Sequence, residues 1–331
     1  MSMKLGMLGM HHTHAHGIVK QVAAYPDEFS LVGFYDPEPE VVEQRTADWS
    51  PLLPSFRMLE SPDALLAEPL DGVVVEGRVW QNVEWARMAV EKGFPVLLEK
   101  PGGPDMDGFR GLADLAQERG VYIQMLYLFR YMSAVAEMRE RAQRGEFGQV
   151  YAFRARLPKE LELYDENVDL YGWHPGGIFF EMAGHIVDMM VTLMGAPRNV
   201  TPFIAHHHSS KGTFADNGVG LFECDQGWGI LEVPALEIAP RMRRIEVYGT
   251  EGAFTIPNLG SGHLKNDSVQ AFEVFRTGMD DWQRHEPKAA MLQIADLREF
   301  AACVSGKKEP NFSLEHDLAV HEALLRASGV L

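Results

Sequence analysis

The stretch Lys4-Leu5-Gly6-Met7-Leu8-Gly9-Met10-His11-His12-Thr13-His14-Ala15-His16-Gly17 decides the fold. A short apolar run stops at a glycine, and Ile18, Val19, Val22 and Ala23 then recur at helical spacing. That is a strand, a tight turn and a helix. The unit repeats outward, with further apolar runs at residues 31–35, 72–75, 96–98 and 121–125. Between them lie helical stripes. Val41, Val42 and Arg45 begin a weak one; Val83, Trp85, Ala86, Met88, Ala89 and Val90 make a strong one. Phe109, Leu112, Ala113, Leu115 and Ala116 make the next, with Asp105 or Asp107 as its N-cap. Gly93 and Gly120 stand where helix-ending glycines belong. Short apolar strands alternating with helices predict right-handed βαβ units and a parallel sheet buried on both faces.

The period changes near residue 125. A helix is expected over 132–144, closed by Gly145. Strand-like runs follow at 149–157, 201–207, 218–224, 227–234, 243–248, 252–256 and 271–276. One helix, 178–194, interrupts them, and two more, 289–305 and 314–328, close the chain. Strands in succession predict a mostly antiparallel sheet. Residues 1–125 and 126–331 are therefore read as two domains, the last helices packing back on the first.

With a formal charge of −17 over 331 residues, the surface repels phosphate backbones and anionic lipid, so nucleic acid and membrane are not expected partners. Two isolated cysteines make neither a disulfide framework nor a paired-cysteine metal site and suit a reducing compartment, the cytoplasm. The apolar run after Met1-Ser2-Met3-Lys4 is too short for a signal segment, and the 17 methionines read as core filler.

A strand–turn–helix of this kind binds a dinucleotide when the turn is tight and the helix start faces the pyrophosphate. Gly9 is present, but His11 and His14 replace the second and third glycines of the usual fingerprint. Asp36 in Phe34-Tyr35-Asp36-Pro37 is placed to accept the ribose hydroxyls, which favours NAD over NADP; the competing reading is a turn residue before proline. His12 and His16 are one helical turn apart, yet no neighbouring carboxylate or cysteine in sequence completes a metal shell. Adjacent strand residues such as His206-His207-His208 point to opposite faces, so no metal is expected.

Lys100, in Glu99-Lys100-Pro101-Gly102-Gly103, falls at the end of a buried strand, where open α/β sheets place ligands. Beside a positive nicotinamide ring it would handle protons; a solvent-exposed loop lysine is the plainer alternative. Glu181, His185 and Asp188 fall on one helix face, as an acid–base set or a satisfied structural network.

At these residues the chain resembles the Gfo/Idh/MocA oxidoreductases, a family of sugar and cyclitol dehydrogenases. Glu99-Lys100-Pro101 matches their characteristic tripeptide, preceded by Ala89-Val90-Glu91-Lys92-Gly93. Gly176-Gly177 through Glu181, Gly184, His185 and Asp188 resembles their second motif, and Phe129-Arg130-Tyr131 a third. The resemblance implies an α/β protein: an N-terminal Rossmann domain, then an α+β domain whose large, mostly antiparallel open sheet joins a homodimer or homotetramer. It implies hydride transfer between NAD, less expectedly NADP, and a secondary alcohol or ketone of a polyol. Carried over, Lys100 would bind the reacting hydroxyl, His185 would exchange the proton and Glu181 would assist. Gly9, Met10, His11, Asp36, Gly77, Arg78, Asn82, Glu99 and Lys100 would border the cofactor. Tyr127, Arg130, Trp173 and His174 would face substrate, although Trp173 could be core and Arg130 a structural ion pair.

Several positions depart from the family pattern. Glu181 replaces an aspartate, and the motif's glycine falls one residue late, at Gly184 behind Ala183. Gly77-Arg78 replaces Thr-Pro, and Asn82 stands where a histidine is common. These departures keep two alternatives open: a non-catalytic sensor of nucleotide or sugar, and a metal-dependent lyase or hydrolase using the N-terminal histidines.

Overall fold

The computed structural model describes residues 2–160, 173–208, 215–237, 242–260, 271–288 and 292–331. They form two compact units: Met1–Tyr127 with Leu292–Leu318, and Leu128–Met291 with Ala319–Leu331.

The first unit holds five parallel strands, β1 (Met3–Leu8), β2 (Phe29–Tyr35), β3 (Gly72–Val75), β4 (Val96–Glu99) and β5 (Ile123–Leu126), in the order β2-β1-β3-β4-β5. Helices α1 (Thr13–Ala24), α2 (Pro39–Trp49), α3 (Pro62–Leu66), α4 (Val79–Glu91) and α5 (Met106–Arg119) connect them. Every residue of β3, β4 and β5 is buried, as a parallel sheet covered on both faces requires. Asp105 caps α5 by accepting the Gly108 N–H at 2.8 Å, and Gly120 ends it in the left-handed region. α8 (Leu292–Val304) packs on α1. Residues 289–291 of the helix expected there lie outside the described residues.

The second unit opens with a 3-10 turn (Leu128–Tyr131) and α6 (Ser133–Gln143). Its eight strands are β6 (Val150–Arg156), β7 (Asn199–Ala205), β8 (Asn217–Cys224), β9 (Gly227–Pro234), β10 (Arg244–Gly249), β11 (Gly252–Ile256), β12 (Phe272–Arg276) and β13 (Gln283–His285). They run in the order β13-β12-β11-β10-β6-β9-β8-β7, and only β6 with β9 is parallel. α7 (Gly177–Met194) packs on β6, β8 and β9. By length and composition α7 could cross a membrane, but 83% of it is buried inside the protein, as for a core helix. The closing helix is α9 (Leu314–Ala327), within which the unit division falls.

Alternation along the strands leaves one sheet face open, with exposed apolar residues beside charged ones such as Arg154, Glu223 and Arg244. Phe222 and Cys224 point inward on β8, whereas Leu221 is exposed, as are Tyr151, Phe203 and Trp228 on neighbouring strands. Three features differ from the sequence reading. β7 spans Asn199–Ala205, not 201–207, because the Asp216 carboxylate takes the N–H groups of His207 and His208 at 2.9 and 2.8 Å and ends the ladder. His206, His207 and His208 therefore follow the strand. α3 has only Leu65 and Leu66 to bury, too short for a periodic signal. β13 is a polar edge strand, Gln283-Arg284-His285, with no apolar face to read.

Candidate active site

In the first unit the loops after β1 and β3 meet backbone to backbone. Gly9 has φ +83°, and a Cβ built on it would lie 2.3 Å from the Cα of Gly77. A Cβ on Gly77 would lie 2.1 Å from Trp85 Cζ3. Both positions require glycine, one for conformation as well as space. The turn is then tied down. Met10 N–H donates to Asp36 Oδ2 at 2.7 Å, and Arg45 Nε donates to the Met10 carbonyl at 2.8 Å. Asp36 Oδ1 also accepts the Glu38 N–H at 2.9 Å. Asp36 thus does form a turn, and it stands at the end of β2 where a ribose would be bound. Burial pushes its carboxyl upward, against the two N–H groups that favour the charged form.

Arg78 is committed to Glu38 through both Nε (2.5 Å) and Nη2 (2.6 Å). His11 is lowered to about 4, by burial first and then by Arg78 and Arg45, with Glu38 opposing, so it is neutral at neutral pH. Asn82 is fully buried and accepts the Gly77 N–H on Oδ1 at 2.9 Å. Its Nδ2 has no partner among the described residues.

His12 and His16, one helical turn apart, do not converge on a common point. Trp49 Nε1 donates to His16 Nδ1 at 2.9 Å, turning that ring toward α2. His12 instead caps α1, accepting the His14 N–H on Nδ1 at 3.3 Å. The same nitrogen lies 3.4 Å from Glu76 Oε2 and 3.6 Å from Glu99 Oε1, and His14 Nδ1 lies 2.9 Å from Glu99 Oε2. The sequence reading placed no carboxylate beside these histidines; the parallel sheet supplies two, from the ends of β3 and β4. Both are fully buried. Glu76 is held well above the usual carboxylate range by burial, then by Glu99 and Asp296, with Lys100 opposing.

Lys100 follows Glu99 and is 2% exposed, so the solvent-lysine alternative is excluded. The peptide to Pro101 is cis. Tyr127, just after β5, is buried in the same unit.

In the second unit α7 begins at Gly177, whose positive φ and contact with the Ala215 carbonyl leave no room for a side chain. Glu181, His185 and Asp188 are all buried on α7. The His185 ring stacks on Phe129, centroids 4.2 Å apart at 11°. Asp188 is bonded bidentately by Arg130, with Nη2 to Oδ1 at 2.6 Å and Nε to Oδ2 at 3.0 Å. Arg130 thus makes the structural ion pair that was one of its two readings. His174 accepts the Gly176 N–H on Nδ1 and stacks on Phe180 at 3.5 Å, with Trp173 edge-on to both rings. These two residues shape the entry to α7.

The structure thus gathers Gly9, Met10, His11, Asp36, Gly77, Arg78 and Asn82 around two touching loops, with Glu99 and Lys100 on the adjacent strand end. Glu181 and His185 share one helix with Trp173 and His174 at its start. Glu38, Arg45, Glu76 and Trp85 were not foreseen. Glu76 had a readable signal: a lone acid directly after Gly72-Val73-Val74-Val75, at a strand's C-terminal end.

Residues 135–255 match the family model for the GFO/IDH/MocA C-terminal domain. The scyllo-inositol 2-dehydrogenase (NAD(+)) of Bacillus subtilis (strain 168) is 26% identical over 317 residues, covering 92% of this chain and 86% of that protein. An Agrobacterium radiobacter oxidoreductase solved with NAD+, L-tartaric acid and magnesium superposes with a TM-score of 0.82 at 14% identity, over 100% of this chain and 96% of that one. The UDP-N-acetylglucosamine 3-dehydrogenase of Acidithiobacillus ferrooxidans does so with a TM-score of 0.79 at 18% identity, over 100% and 98%. A parallel sheet in the first unit, a mostly antiparallel sheet in the second, a matching model for a GFO/IDH/MocA C-terminal domain and similarity along nearly the whole chain make this protein similar to the Gfo/Idh/MocA oxidoreductases, whose fold it shares.

Proposed function

We propose that this protein is a dehydrogenase that moves a hydride between NAD and a secondary alcohol or ketone of a sugar, cyclitol or related polyol. The observation that carries the reading is Lys100: a lysine 2% exposed at the C-terminal end of a parallel strand. Burying an ammonium is costly, and such placement is typical of a group kept for chemistry. The dehydrogenase names of the similar inositol and sugar-nucleotide enzymes support an enzyme rather than a sensor.

The residues present fit a dinucleotide. Asn82 Nδ2 is a buried donor with no partner, and the glycine contact between the two loops permits the tight first turn. Gly9, Met10, His11, Asp36, Gly77, Arg78, Asn82 and Glu99 are proposed to border it. Bound NAD would supply the hydride acceptor. Lys100 Nζ is proposed to bind the reacting oxygen and His185 to hold or release the proton, with Glu181 setting the charge around that imidazole. Tyr127, Trp173 and His174 are proposed to contribute to polyol selection. Arg130, through its pair with Asp188, is proposed to hold α7 in place beside them.

NAD is proposed over NADP because Asp36 repels a 2′-phosphate and Glu38 already occupies Arg78, a cation that acts on Asp36. Calorimetric titration should give NAD on the order of tenfold tighter binding than NADP, about 1.4 kcal/mol. Tighter NADP binding would show that Asp36 does not have this role.

The open sheet face supports a homodimer or homotetramer. Tyr151, Phe203, Leu221 and Trp228 are exposed on its strands, as aromatic and aliphatic anchors of an interface would be. Light scattering should report at least twice the 37.1 kDa chain mass; a single-chain mass contradicts this assembly.

A further inference from the structure

We propose that His12, Glu76 and Glu99 form a binding site for a divalent first-row transition cation, with His14 holding Glu99 in place. Two fully buried carboxylates, Glu76 and Glu99, converge on one imidazole nitrogen. Both oxygens of Glu76, and Oε1 of Glu99, have no hydrogen-bond partner among the described residues. A buried carboxylate left in that state is costly, and a proton or a cation is the usual remedy.

The distances favour a cation. His12 Nδ1 lies 3.4 Å from Glu76 Oε2 and 3.6 Å from Glu99 Oε1, too long for good N–H···O bonds, and a bound ion would take the lone pair that otherwise accepts the His14 N–H in a long 3.3 Å cap. The two carboxylate separations are close to the edge of a tetrahedron, about 3.3 Å, around an ion with metal–ligand bonds of about 2.0–2.1 Å. Those same Glu76 and Glu99 oxygens are the unpartnered ones. The remaining Glu99 oxygen takes His14 Nδ1 at 2.9 Å, the kind of supporting hydrogen bond that fixes a ligating carboxylate. Ligand atoms of His12, His14 and Glu99 all lie within 4.8 Å of one another, so His14 is also within reach of the ion. The side chains of His12 and His14 are 13% and 22% exposed, which gives an ion a way in to acids that have none of their own.

Lys100 is the competing counter-charge, since it favours ionised Glu76. A proton on Glu76, which its burial beside Glu99 favours, is the other competitor, and a bound ion would displace it. Imidazole nitrogen with two carboxylate oxygens suits Zn2+ or Mn2+ better than Mg2+, which prefers oxygen and its own waters. A cation would also resolve a conflict in the first turn. Two buried acids beside the start of α1 oppose an anionic pyrophosphate, and a dication turns that repulsion into attraction. This last consequence rests on the NAD reading; the site itself does not.

The test uses the full chain, stripped by chelator and titrated calorimetrically with ZnCl2, MnCl2 and MgCl2 in the absence of NAD. The expected result is one Zn2+ or Mn2+ per chain and a raised melting temperature. Glu76→Gln should abolish the binding, and His14→Ala should weaken it about 10–100-fold. If Glu76→Gln fails to fold, Co2+ loading of the wild type gives a second readout, a visible absorption band from nitrogen and oxygen ligation. No heat and no thermal shift overturn the site, as does unchanged affinity in folded Glu76→Gln. Binding of Mg2+ alone overturns the donor assignment. Because NAD is absent, failure here leaves the dehydrogenase reading standing, and failure of NAD binding leaves this result readable.

Discussion

Lys100→Met is expected to lower kcat by about 10²–10⁴-fold while NAD still binds with affinity within a few-fold of wild type. The side chain is 2% exposed at the end of β4, so methionine fills nearly the same buried space and removes only the ammonium. If Lys100 binds the reacting oxygen, the loss falls on turnover. If it mainly anchors the cofactor, NAD affinity falls in step with activity, and the catalytic assignment is wrong. Loss of the ammonium also removes charge that favours ionised Glu76, so the melting temperature must be read alongside. Calorimetry for NAD and steady-state kinetics on the same preparation separate these outcomes.

Arg130→Met is expected to destabilise the second unit by about 3–5 kcal/mol, because it strands a buried Asp188 charge. Both side chains are 3% exposed and joined bidentately. The pair ties the 3-10 turn to the middle of α7, the helix that carries Glu181 and His185. A double variant, Arg130→Met with Asp188→Leu, should recover much of the loss, since an apolar pair needs no compensation. Urea unfolding checks this through its lower transition, as a chain of two units need not unfold in one step. A loss below about 1 kcal/mol would place the pair with weak surface bridges and contradict its structural role.

Much of the fold could be read from period alone. Residues 252–256 and 227–234 were bounded as the structure bounds β11 and β9, because Gly and Pro punctuate them. The parallel sheet was legible because buried parallel strands are apolar throughout. What escaped lacked an apolar pattern or depended on distant partners. α3 and β13 are too short or too polar to show a period. The end of β7 is set by Asp216, a residue across the sheet. The site divided in the same way. Lys100 and the α7 acids lie in local motifs, so their neighbours announce them. The Glu76–His12–Glu99 convergence joins three strand or turn ends that are far apart in the chain, and only the sheet order brings them together. The sequence could show the spacing of His16 from His12 but not the partner of its ring, Trp49, 33 residues on.

The most direct measurement is NADH formation followed optically with wild-type protein and NAD across a panel of inositols, hexoses and nucleotide sugars, with Lys100→Met as the control. A dehydrogenase predicts steady NADH production with at least one polyol and its near-complete loss in the variant. NAD binding without NADH formation on any member of the panel, or equal rates in the variant, would contradict it.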